Sequence, residues 1–202
     1  YYGAIAIRSQ VSINDISNLD SNNVSLIMGN DAHLVLYPVN KKKEINLVCI
    51  IRQKPGNSDS IKTILENTIL KENKNLANLF KGELKSWTIY KSGKPIKSNY
   101  KNVLYIGDAF YTFPPTLAQG ASQAIESANE IFNLINDNNS NVQNLYFKNR
   151  LERTNLINKR SKFNYFSFHI SNSLLKIFRN KILKILIKNK KFINSYLGKV
   201  YK

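Results

Sequence analysis

Gly107-Asp108-Ala109-Phe110-Tyr111-Thr112-Phe113-Pro114-Pro115-Thr116-Leu117-Ala118-Gln119-Gly120-Ala121-Ser122-Gln123-Ala124-Ile125-Glu126 is the stretch on which the reading of this chain turns. Directly before it, Asn102-Val103-Leu104-Tyr105-Ile106 has the content of a short buried strand. After it, apolar residues recur at helical spacing from about Leu117 to Ile135. A strand ending in Gly107-Asp108 therefore leads through a Pro-Pro loop of restricted backbone into a helix that opens Ala-Gln-Gly-Ala-Ser. Such a first turn presents free N–H groups and a positive dipole end behind small side chains, so an anionic ligand can come close. Asp108, at the carboxyl end of the strand, can accept hydrogen bonds from ligand hydroxyls.

Working outward, the first 55 residues read mainly as sheet. Strands are expected over 4–9, 33–39 and 44–51, with a polar loop to about Asn23, a turn at Asn30-Asp31-Ala32 and a charged hairpin tip at 41–43. Ser58 or Asp59 can cap a helix over 61–70, and Asn73 or Asn75 a shorter one ending at Phe80. Residues 83–90 form a strand holding the only tryptophan, Trp87. Past the motif, a long helix is expected from Val142, interrupted near 167–173. The fold class is α/β, in its segregated α+β form. Three blocks follow: a sheet portion at 1–92, the Gly-Asp segment at 93–140 and basic helices at 141–202.

Within the sheet, His33 and Tyr37 are four residues apart on one strand and share a face, with Val35 between them. A histidine titrating near neutrality suits proton transfer to or from a bound hydroxyl. The alternative is a turn-capping His33 and a packed Tyr37. Arg8 can anchor a substrate carboxylate or form an ordinary salt bridge. His169, among Phe163, Tyr165, Phe166 and Phe168, reads as core. Cys49, the single cysteine, lies in the strand-like run 45–51 and reads as a buried structural thiol, which fits a reducing compartment.

Charge is distributed unevenly over the 202 residues. Up to Glu152 there are 17 Lys and Arg against all 13 Asp and Glu; from Arg153 onward there are 13 Lys and Arg and no acid. Such a block points to an anionic partner, a membrane surface or nucleic acid, unless it reflects only the richness of the chain in Lys, Asn and Ile. No apolar run approaches the ~18 residues that span a bilayer. Residues 174–186 are amphipathic, with Leu174, Leu175, Phe178, Ile182, Ile185 and Leu186 on one face and Lys176, Arg179 and Lys184 on another. Docking on the protein body is the first expectation for this face. A homodimer contact, or peripheral membrane contact through 174–191, is the alternative.

The Gly107–Ala128 pattern resembles the second FAD-binding motif of the flavoprotein aromatic hydroxylases. In that family Gly-Asp-Ala-Ala-His, three variable residues and Pro precede a Gly-Gln-Gly turn and an Ile/Leu-Glu-Asp-Ala helix. Gly107, Asp108, Ala109, Pro115, Gln119, Gly120, Ile125, Glu126 and Ala128 fall in register. The departures are Phe110, Tyr111, Ala118 in place of the first glycine, and Ser127. Tyr111 and Ser127 are expected in supporting contacts, and Ala118 narrows the approach to the backbone. A second layer, similar to salicylate-hydroxylase-like members, runs through Ile7-Arg8-Ser9, His33 to Val39, Asn46 to Val48, Trp87, Pro95 and the tail residues Arg153, Arg160, His169 and Arg179.

The resemblance implies a partial FAD/NAD(P)-binding three-layer fold with a substrate-domain sheet and carboxyl-terminal helices. It implies a monooxygenase that uses FAD, NAD(P)H and O2 on a small aromatic substrate, the cofactor carrying the difficult chemistry. By resemblance, Gly107, Asp108, Pro115, Ala118, Gln119, Gly120, Ala121 and Ser122 bind FAD. Asp108 would serve the ribityl or ribose side and the amides of 120–122 the pyrimidine edge, with Pro115 also beside the substrate. His33 and Tyr37 would act on the substrate hydroxyl, with Arg8 also binding substrate. The eight glycines, at 3, 29, 56, 82, 93, 107, 120 and 198, leave no Gly-x-Gly-x-x-Gly unit. The chain, which opens on strand-like residues rather than Met, is therefore expected to be the carboxyl-terminal half of such an enzyme, inactive alone. A cytoplasmic location is expected, or one peripheral to the inner face of a membrane. A ubiquinone-pathway polyprenyl-phenol hydroxylase is the nearest alternative. A non-enzymatic basic module binding nucleic acid or membrane through 153–202 leaves the motif unexplained, and no specific nucleic acid is expected as a partner.

Overall fold

The computed structural model describes residues 1–16, 22–54, 56 and 59–200. They form two compact units: Tyr1 and Gly3–Ile89 with Phe166–Lys202, and Tyr2 with Tyr90–Tyr165. The basic carboxyl-terminal stretch from Phe166 thus belongs with the sheet, and the residues before it with the Gly-Asp loop, a division different from the three compositional blocks.

The first unit is built on a five-stranded antiparallel sheet in the order β2-β3-β4-β1-β5. Its strands are β1 (Ala4–Ser12), β2 (Ser25–Met28), β3 (Ala32–Val39), β4 (Glu44–Arg52) and β5 (Lys85–Thr88). Alternation gives the sheet two different faces. Ile7, Val11, Leu34, Leu36, Ile45, Leu47, Cys49 and Ile51 point to one side and are buried there with Ile64, Leu65, Ile69, Leu79 and Phe80. The last five come from α1 (Ile61–Asn67), α2 (Ile69–Glu72) and the 3-10 turn Lys74–Phe80. Each such aliphatic side chain withdrawn from water stabilises the fold by about 1.5–3 kcal/mol. Burial pushes the Cys49 thiol up to about 12, so it stays protonated and inert.

Ser60 caps α1 by accepting from the Thr63 amide at 3.1 Å, in place of Asp59; Ser58 lies outside the described residues. The helix expected over 61–70 breaks at Thr68 (φ −118°, ψ −99°), whose hydroxyl donates to the Ile64 carbonyl at 2.6 Å. Asn73 caps the following turn by accepting from the Asn75 amide. At the hairpin tip Asn40, Lys41 and Lys42 all take positive φ. β2 was not anticipated. It is a four-residue edge strand set between the polar loop and the Gly29-Asn30 turn, too short to show alternation.

In the second unit, α3 (Gly120–Asn136) and most of α4 (Val142–Phe168) accompany the Gly-Asp loop. The buried stripe of α4 is Tyr146, Arg150, Thr154, Ile157 and Ser161, spaced by three and four but mixed in polarity. The strand expected at 102–106 does not form. Ile106 is extended (φ −126°, ψ 161°), but residues 103–106 join no ladder among the described residues. Val103 and Ile106 are consequently 40% and 41% exposed rather than buried. A strand exists only through its partner, and an apolar run alone does not supply one. The chain then continues into α5 (Ser173–Leu186) and α6 (Lys190–Tyr196) of the first unit, with the expected interruption falling between Phe168 and Ser173.

Candidate functional site

The loop of the second unit is shaped by two backbone conformations. Gly107 sits at φ +54°, and a Cβ there would lie 2.9 Å from the Ala124 Cβ, so only glycine lets the loop close on α3. The Gly107 carbonyl accepts from the amides of Phe110 and Tyr111, both at 3.0 Å. Phe110 is buried and packs edge-on against Tyr146 and Phe147, each 5.9 Å away. Tyr111 is buried against Phe113 at 5.0 Å, and burial raises its pKa, an effect partly offset by Asn158. These aromatics anchor the loop and leave Asp108 on its exposed side.

Pro115–Leu117 makes one 3-10 turn, and Ala118 then reverses into the left-handed region at φ 51°, ψ 36°. The helix therefore begins at Gly120, three residues later than its apolar pattern suggests. Gln119, at the cap position, makes no capping hydrogen bond. Its side chain turns inward, where Oε1 accepts from Gln123 Nε2 at 3.1 Å. The amides of Gly120, Ala121 and Ser122 accordingly have no partner among the described residues. Gly120 and Ala121 are exposed and Ser122 is half-buried. A Cβ at Gly120 would meet only the Asp108 carboxylate, at 3.9 Å. A carboxylate, three unpaired donors and an open glycine surface thus share one corner of the unit.

Behind this corner a charged network fixes α3 to α4. Arg153 Nε donates to Glu126 Oε2 and its Nη2 to Oε1, both at 2.9 Å. The buried Arg150 donates to Gln123 Oε1 at 2.6 Å and lies 3.6 Å from Glu130. Burial alone would raise the pKa of Glu126, but Arg153 and Arg150 outweigh it and hold the carboxyl below its usual range. Ser127 is buried and donates to the Gln123 carbonyl at 2.6 Å. Gln123, Glu126 and Ser127 hold the helix in place and leave its first turn free.

Of the residues with a substrate role in the resemblance, Pro115 is in the second unit, while Arg8, His33 and Tyr37 lie in the first, on the sheet face opposite the aliphatic core. Arg8 is exposed; it has no ion pair among the described residues and donates through Nε to Asn46 Oδ1 at 2.5 Å. Asn46 is fully buried and its Nδ2 has no partner among the described residues. It stands directly opposite Tyr37 in the β3–β4 register, and Tyr37 is half-buried. Arg8, Asn46 and Tyr37 therefore form a polar row across three strands.

His33 is at the other end of β3 and is 1% exposed. Its Nδ1 lies 2.7 Å from Nε2 of the equally buried His169, and the Phe168 ring packs edge-on against it at 5.2 Å. Burial lowers the pKa of His33 to about 4. Burial, with the charges of His33 and Arg52, lowers that of His169 to about 3 against an opposing effect of the Ile50 backbone. Both rings are neutral at pH 7, and one shares a proton with the other. The pairing was invisible in the sequence, 136 residues separating the partners. Asn46 left one trace there, as the only amide inside an otherwise apolar strand.

No family model and no curated protein matches the sequence. Among solved structures the fold is shared with a salicylate hydroxylase and with a protein crystallised with FAD. HpxO of Klebsiella pneumoniae, complexed with FAD and uric acid, has a TM-score of 0.75 at 15% identity, covering 98% of this chain and 52% of that one. A salicylate hydroxylase substrate complex gives 0.72 at 18% identity, over 96% and 54%. The tetracycline destructase Tet(51) gives 0.60 at 14% identity, over 98% and 54%. The chain spans about half the length of these proteins.

Proposed function

We propose that this chain is part of an FAD-dependent monooxygenase that hydroxylates a small aromatic or phenolic substrate with O2 and electrons from NAD(P)H. The observation that carries the reading is the corner made by Asp108 and the unpaired amides of Gly120, Ala121 and Ser122, on a fold shared with a protein crystallised with FAD. The residues present fit that group. The Asp108 carboxylate accepts from ribityl or ribose hydroxyls, and the helix N-terminus donates to a carbonyl-rich ring edge and stabilises negative charge there. FAD, when bound, supplies the redox chemistry. Gly107 and Ala118 shape the turns on either side of the Asp108 corner; Gln119 is turned inward, and Pro115 presents an exposed apolar surface.

On the sheet, Arg8, Asn46 and Tyr37 offer donors to an acidic or oxygen-rich planar ring. Uric acid in one structural neighbour and the substrate of salicylate hydroxylase in another belong to that class. Burial holds the pKa of His33 near 4 rather than near neutrality, and the ring is 1% exposed with one nitrogen on His169, so it would take a proton from a substrate hydroxyl only where its second nitrogen is uncovered. Tyr37, about 13 Å further along the strand, would hydrogen-bond substrate beside Arg8 and Asn46 instead.

The test is flavin affinity. Asp108→Ala should weaken FAD binding by about 1–3 kcal/mol, the worth of charge-assisted hydrogen bonds, read by absorbance titration. Unchanged affinity would remove Asp108 from the site.

A further inference from the structure

The helix α5 is mounted with its apolar side outward. Leu174, Phe178, Ile182 and Ile185, with Leu175 beside them, form a stripe ~100° wide at helical spacing, and their exposures are 68%, 62%, 52%, 69% and 50%. The opposite side, turned toward its own unit, is mixed: Arg179 is buried, and Lys176, Leu183 and Leu186 are half-buried. Arg179 donates through Nη1 to the Ser167 carbonyl at 3.0 Å, and Lys176 donates to Asn30 Oδ1 at 2.6 Å. A helix serving only its own core would have the reverse orientation. Of the face expected to dock on the protein body, only Leu186 is half-buried; Leu174, Leu175, Phe178, Ile182 and Ile185 stay exposed among the described residues, with Arg179 buried on the inward side. Lys181, Lys184 and Lys188 are exposed along one shoulder of the stripe.

We propose that α5 is a membrane-surface helix, its Leu174–Ile185 stripe entering the headgroup boundary of a bilayer that carries anionic lipid while the shoulder lysines bind the headgroups. At 14 residues α5 is too short to cross, and no helix among the described residues is long and apolar enough to do so. Charge selects the occupant. From Arg153 to the end there are 13 basic residues and no acid, so a second copy would set two cationic tails against each other. Nucleic acid would satisfy the lysines but offers no apolar phase for five large side chains. An anionic bilayer accepts both.

The full chain should float with vesicles of three parts phosphatidylcholine to one part phosphatidylglycerol and stay behind with phosphatidylcholine alone. The double variant Phe178→Asn/Ile185→Asn should lose binding by about tenfold or more. The triple variant Lys181→Gln/Lys184→Gln/Lys188→Gln should lose it comparably, as should raised salt. An environment-sensitive dye on Leu174→Cys, Cys49 being buried, should shift to the blue with the anionic vesicles, a readout that does not depend on the other variants folding. The proposal is overturned by absent binding, by equal binding to both vesicle types, or by an unmoved dye. It is also overturned if the apolar pair leaves binding intact while single-stranded RNA competes fully, which would assign the surface to nucleic acid. Dissociation of a dimer by the same pair, with no vesicle binding by the parent chain, would assign it to a second copy.

Discussion

Replacing Ala118 by glycine should stabilise the protein, an unusual direction for a substitution that removes a methyl group. Ala118 is held at φ 51°, ψ 36° between the Pro115–Leu117 turn and α3. In that region the Cβ of an L-residue crowds the following carbonyl oxygen, at a cost of roughly 1–2 kcal/mol. Glycine escapes the crowding but has a more disordered unfolded chain, which offsets about 0.4–1 kcal/mol. The methyl is exposed, so little packing is lost. The net expectation is a gain of roughly 0.5–1 kcal/mol, or a rise in Tm of about 1–4 °C for a chain of this length. Thermal unfolding followed by circular dichroism reads it directly, with Ala118→Val as the opposite arm, since a β-branched residue is worse still at positive φ. An unchanged or lowered Tm for Ala118→Gly would show that the strain is illusory. It would also undercut the view that alanine stands here where the turn asks for glycine.

Gly107→Ala tests the other side of the loop. The new methyl meets the Ala124 Cβ at 2.9 Å from a residue already at positive φ, so a loss of about 1–3 kcal/mol is expected and should appear as a lower urea midpoint; a wild-type midpoint would mean the loop is not closed on α3. The buried histidines predict a pH dependence. Their folded-state pKa values, about 4 for His33 and about 3 for His169, lie below the unfolded value near 6.5. The unfolded chain therefore binds more protons in between. Their contribution is fully present above pH 6.5 and is lost as pH falls toward 4 and then 3, a loss on the order of a few kcal/mol. In His169→Phe the loss over this window should shrink, since one depressed group is gone; an acid profile identical to wild type would separate the pair from stability.

The antiparallel part of the fold was legible because its causes are local. Short runs rich in β-branched and other apolar residues at 4–9, 33–39 and 44–51 announce strands, and a charged tip at 41–43 between two of them announces the hairpin. The interval 103–106 shows where this logic stops. It has the composition of a strand, yet strand formation depends on a second chain segment that composition cannot locate, and none of the described residues supplies it. The helix start failed for a different reason. Leu117 fits the apolar period of α3, but two prolines and a left-handed Ala118 precede the first helical residue, and backbone conformation overrides side-chain periodicity there.

The site divides along the same line. Asp108 and Gly120 could be placed beside one another from sequence because one short loop carries both. The polar row of Arg8, Asn46 and Tyr37 needed the register of three strands, and a shift of one residue in β4 would have replaced Asn46 by an aliphatic neighbour on that face. The aromatic surroundings of His169 mark it as core, and it is buried. Burial, however, is what gives it a role. An imidazole withdrawn from water must find a partner for its nitrogens or leave them unsatisfied at a cost of about 1–3 kcal/mol, and the ring within reach is that of His33. A histidine placed in an apolar segment is thus a demand for a second polar group, and the sequence shows the demand without showing who meets it.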